Sequence, residues 1–145
     1  MPKPHLIILH NETVRALLKQ AWEDSEPGGA NAHEEGGFVL RDAAAEFSVY
    51  RWPTGAQNEI RVPSHSGCKI GDTEIVASFH THPNVGDDYL QEPSETDKRA
   101  VRNDPNLKGA NYVGEFVISR DTIYLVTPQG QVRELVDTDD LFSDE

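Results

Sequence analysis

The stretch Ser78-Phe79-His80-Thr81-His82-Pro83 sets two imidazoles two residues apart. In an extended strand alternate side chains share a face, so His80 and His82 point the same way and can grip one metal ion. Ile75, Val76, Ala77 and Phe79 describe a buried strand that would hold both rings rigidly, and Pro83 ends it. Taken alone, the pair could equally be strand-end histidines facing solvent. A carboxylate follows in Ser94-Glu95-Thr96-Asp97. Ser at a helix N-cap with an acid three residues on is the capping-box pattern, which would explain both residues without any metal. Beside the histidines, Asp97 can also supply a third ligand. Two His and one carboxylate, with the fourth position open to water, is the donor set of a catalytic zinc site rather than a structural one.

Zinc brings the pKa of water at such a site to about 7, but a group must still carry protons between that water and a leaving amine. Glu34 and Glu35 are the candidates, adjoining Gly36-Gly37-Phe38-Val39-Leu40 at the head of an expected buried strand. Their alternative is ordinary solvated charge at a loop-to-strand junction. The single cysteine, Cys68, excludes an intrachain disulfide and a thiolate zinc site, and reads as a small loop or core residue. His5, His10, His33 and His65 are scattered and read as surface or hydrogen-bonded histidines. Trp22 belongs to a core; Trp52 belongs to a core or to a substrate groove.

These residues need a frame. Leu6 to Leu9 reads as a strand, and Asn11 as the cap of a helix whose Val14, Leu17, Leu18, Ala21 and Trp22 share one face. Strands are expected at Gly37–Leu40, Phe47–Trp52, Glu59–Val62 and Glu74–Phe79, then a helix from Ser94 to Arg102 stopped by Asp104-Pro105. Three strands close the chain, around Tyr112–Ser119, Thr122–Thr127 and Val132–Val136. The fold class is α+β: one helix before a sheet and one inserted within it.

At 145 residues the chain suits one domain, read as 1–136 with an acidic solvated end at 137–145. Acidic side chains outnumber basic ones by 25 to 13, and a net charge of −12 disfavours nucleic acid and suits a neutral or basic protein partner. No apolar run approaches the roughly 20 residues of a membrane span, and no secretory segment is legible, so a cytoplasmic location is expected.

Together, Glu34, His80-Thr81-His82-Pro83 and Ser94-Glu95-Thr96-Asp97 resemble the JAMM motif of the JAB/MPN metalloprotease family, and the resemblance extends to element order along nearly the whole chain. It implies a curved, cytidine-deaminase-like mixed sheet flanked by helices. It implies zinc held by His80, His82 and Asp97, Glu34 as the proton carrier, matched through Gly37, and Ser94 orienting water or an oxyanion. Glu35 is the less favoured base. It also implies cleavage of peptide or isopeptide bonds, often at the C-terminus of a ubiquitin-like modifier. The segment from Pro83 to Pro93 is longer than the family's by about four residues and reads as a lid or a solvated insertion. Rival readings are a non-catalytic scaffold of the same fold and a JAB-like peptidase of a bacterial toxin or defence system. A zinc nucleobase deaminase is excluded, because it needs a Pro-Cys-x-x-Cys element.

Overall fold

A computed structural model describes residues 3–56, 60–83 and 93–143; the expected lid at 84–92 lies outside them. The chain opens on a helix, not the expected strand: α1 is Pro4–His10. Pro4 fits the first turn, where its missing N–H is not needed, and a four-residue apolar run has no length to separate strand from buried helix. Ile8 and Leu9 face the core while Ile7 is half exposed. Helix α2, Glu12–Asp24, is capped as read: the Asn11 side chain accepts from the Val14 N–H at 3.1 Å, and Val14, Leu18 and Ala21 are buried.

Seven strands form one mixed sheet: β1 Gly36–Arg41, β2 Phe47–Arg51, β3 Lys69–Ile70, β4 Thr73–Thr81, β5 Glu115–Ile118, β6 Thr122–Val126 and β7 Val132–Asp137. Their order is β2-β1-β4-β5-β6-β7, with β3 paired to the start of β4. The expected strand at Glu59–Val62 is absent over 60–62, and Glu59 lies outside the described residues. Between Pro53 and Pro63 that segment has too few apolar positions for a strand face: Ile60 is half-buried and Val62 exposed.

β4 and β5 are parallel, while the other pairs are antiparallel. A parallel pair needs a crossover. Helix α3, Glu95–Arg102, lies in that connection. The sheet therefore has two covered faces. On one, Leu9, Val14, Leu18 and Ala21 of the helices pack on Val39, Val76, Phe79, Phe116 and Ile118. On the other, Val101 of α3 packs with Phe38, Leu40, Trp52, Cys68, Ile75, Tyr112, Val117 and Val126. β4, between them, is buried from Ile75 to Thr81, which is why its sequence reads as continuous rather than alternating hydrophobicity.

The acidic end is partly structural, contrary to the reading of 137–145 as solvated. Thr138–Phe142 form a short helix, α4. Leu141 enters the first core, and Thr138 donates through Oγ1 to the Ser119 carbonyl at 2.7 Å. Asp139 and Asp140 stay exposed. A count of charges hides the apolar Leu141-Phe142 pair among them.

Candidate metal centre

The centre begins with glycine. Gly36 lies opposite His80 in the β1–β4 ladder, and a Cβ there would come within 2.5 Å of the Trp52 ring and 2.7 Å of the Phe79 carbonyl. Trp52 is thereby a core residue, edge-on to Phe38 at 5.1 Å, rather than a groove wall. This close packing seats the head of β1 against the end of β4. Glu34 and Glu35 precede β1 directly, tied down by backbone bonds from Glu34 N–H to Ala56 (2.8 Å) and Thr81 N–H to Glu35 (2.9 Å).

The two glutamates part company there, as neighbours on an extended chain do. Glu35 accepts from Arg51 Nη2 at 2.7 Å and pairs with His33 Nε2 at 2.7 Å. Arg51 in turn reaches Asp24 at the end of α2. Glu34 takes part in none of these contacts. Burial raises its carboxyl above the usual range, His80 and His82 pull it back, and Asp97 and Glu115 push it up again. Glu34 thus belongs electrostatically to the histidines, and Glu35 to a clamp beside them.

His80 Nε2 and His82 Nε2 stand 3.1 Å apart. The crossover through α3 brings a carboxylate to the same point: Asp97 Oδ1 is 3.4 Å from His80 Nε2, and Oδ2 is 3.2 Å from His82 Nε2. The capping box is also present, with the Ser94 N–H donating to Asp97 Oδ2 at 2.8 Å and the Asp97 N–H donating to Ser94 Oγ at 3.1 Å. Cap and candidate ligand are one arrangement: the bond to the Ser94 backbone fixes the carboxylate that faces the imidazoles. Burial alone would raise Asp97, but its contacts with His80 and His82 hold it well below the usual carboxylate range.

No family model matches the chain, and no curated protein sequence matches it. Bonds of about 2.0–2.1 Å in a tetrahedron put neighbouring ligand atoms about 3.3 Å apart. The two imidazole nitrogens fit that figure at 3.1 Å, and each has a different Asp97 oxygen beside it, Oδ1 at 3.4 Å from His80 and Oδ2 at 3.2 Å from His82. His80, His82 and Asp97 can therefore hold a metal ion.

Glu115 is a further member that the sequence reading passed over. It opens β5 beside β4, and its Oε2 meets His80 Nδ1 at 2.6 Å. Its Oε1 accepts from Ser78 Oγ at 2.8 Å, and Ser78 Oγ lies 2.7 Å from Tyr112 Oη. Burial would lower the His80 pKa, but Glu115 and Asp97 outweigh it and hold the ring well above its ordinary value. The available signal was one acid at the head of the apolar run Phe116-Val117-Ile118. Gly114 delivers it: at φ 127°, it passes so close to the Val126 carbonyl that a Cβ would sit 2.2 Å away.

Of the residues set aside, His33 and His65 are hydrogen-bonded as read. His65 bridges the Pro63 carbonyl and Asp104, both at 2.6 Å. Cys68 is buried beneath Gly109, and burial pushes its thiol pKa up, the opposite of what a nucleophile needs.

Proposed function

We propose that the chain is a zinc-dependent peptidase or isopeptidase of the JAB/MPN type, with His80, His82 and Asp97 as ligands and Glu34 as proton carrier. One observation carries the reading: His80, His82 and Asp97 each bring a donor atom within 4.8 Å of the others, with a buried glutamate, free of the neighbouring clamp, coupled to them. Two imidazoles and one carboxylate are a zinc-hydrolase donor set that other divalent ions also accept, so zinc is taken from the resemblance.

Bound zinc would supply Lewis acidity, polarising a scissile carbonyl and making water acidic near neutral pH. The chain's own groups do the rest. Glu34 takes a proton from the attacking water and returns it to the departing amine; a carboxyl pKa raised by burial serves both directions of that transfer. Ser94 uses its oxygen lone pair on the Asp97 N–H, which leaves its hydroxyl hydrogen for the developing oxyanion. Carboxylate cap, imidazoles and hydroxyl stand on a strand end and a helix start, elements rigid enough to keep their spacing.

The substrate class follows from the resemblance: a protein tail, of the kind that ends a ubiquitin-like modifier. A strongly acidic chain favours a neutral or basic one. No described helix is long and apolar enough to cross a membrane. The test is cleavage of modifier fusions by the zinc-loaded protein beside Glu34→Gln. Loss of turnover by about 100-fold or more, with zinc content unchanged, is expected for a general base. Full turnover by the variant would remove Glu34 from the scheme. A zinc-loaded protein that cleaves nothing and binds a stable protein partner would instead be the scaffold form of this fold.

A further inference from the structure

A metal-ligating histidine has two nitrogens, and the one left over decides which way the ring faces and where its proton sits. At His80 the leftover nitrogen is Nδ1, 2.6 Å from Glu115 Oε2, with the carboxylate itself buried. The carboxylate's other oxygen accepts the Ser78 hydroxyl at 2.8 Å. Ser78 has spent its hydrogen there, so its lone pair receives the Tyr112 hydroxyl at 2.7 Å. Every link then has one direction, from Tyr112 through Ser78 to Glu115, with His80 donating to Glu115 from the other side.

The chain costs something to keep. Glu115 lies on the face of the sheet that otherwise carries Val117, Phe38 and Leu40, and burying a carboxylate there is expensive unless its partners compensate. A buried pair of this kind is weak evidence for stability, since apolar side chains fill such space as well or better. Its geometry suits another purpose.

We propose that Glu115 is a positioning residue: it holds the proton on His80 Nδ1 and so turns the Nε2 lone pair toward His82 and Asp97. Ser78 and Tyr112 keep its carboxylate in that pose. The role rests on the metal-centre reading above and deepens it. Pairing with an anion also makes the imidazole a stronger donor to a cation.

Two measurements decide the matter. Zinc affinity is compared between the wild-type protein and Glu115→Gln, by competition with a chromogenic chelator, and denaturant unfolding of both metal-free proteins serves as the control for a merely structural role. A fall in affinity of ten- to a hundred-fold is expected for loss of such a partner, beyond any change in stability. Second, long-range proton–nitrogen spectra locate the His80 proton in the wild type with and without zinc. A slowly exchanging proton on Nδ1 is expected in both, with Nε2 the nitrogen that zinc shifts. Equal zinc affinity in Glu115→Gln, or zinc on Nδ1, overturns the proposal. If the wild type binds no zinc, the metal-centre reading fails instead, and a rapidly exchanging or absent Nδ1 proton then sinks the Glu115 role separately.

Discussion

Single residues of the candidate centre depend on partners far away in the chain: His80 meets Glu115, and Glu35 meets Arg51. His80, His82 and Asp97 announce themselves by type and spacing, whereas Glu115 is distant in sequence and only the parallel β4–β5 pairing brings it to His80. Choosing between Glu34 and Glu35 needed the same step: adjacent side chains diverge, and only the structure shows which one meets Arg51. That clamp has a pH signature. His33 faces two acceptors, the Asn31 carbonyl at 2.9 Å and Glu35 at 2.7 Å, so the ring satisfies both only as the imidazolium. The hydrogen bond to Asn31 is the largest influence, opposed by burial and aided by Glu35, and the pKa rises above 6.5. A raised folded-state pKa stabilises fully below the unfolded value and the gain fades as pH climbs through the folded value. His33→Gln should therefore lower the unfolding midpoint more at pH 5.5 than at pH 8.5, a comparison thermal melts can make. A gap that is constant or grows with pH would deny the charged pairing.

Among the elements, those with a clear period or cap were legible: α2 from its apolar face and Asn11, α3 from Ser94 and Asp97, the strands from β-branched runs between turns. The misses have a shared cause. α1, the segment at 60–62 and α4 are short, and in short segments tertiary contacts outweigh local pattern. Leu9 and Leu141 lie in the same core cluster. Leu141→Ala should thus cost about 2–5 kcal/mol, the usual range for a large-to-small change in a core. Urea unfolding measures it. A cost near zero would return residues 138–142 to the status of a solvated tail.

For the whole molecule, the mixed α+β class was readable, because helix and strand signals alternate in the order the chain then follows. Its two-faced packing was not, because which residues of β4 meet which helices depends on the crossover. That crossover is also what brings separate motifs together: it lays the first turn of α3 over the end of β4, so a capping carboxylate faces both histidines. This convergence is the metal centre proposed above. Elemental analysis of the purified protein beside His82→Ala tests it most directly. About one zinc per wild-type chain, lost in the variant, is the expected result. No zinc in either protein when the metal is supplied, or equal zinc in both, would contradict it and leave Ser94 and Asp97 as a helix cap alone.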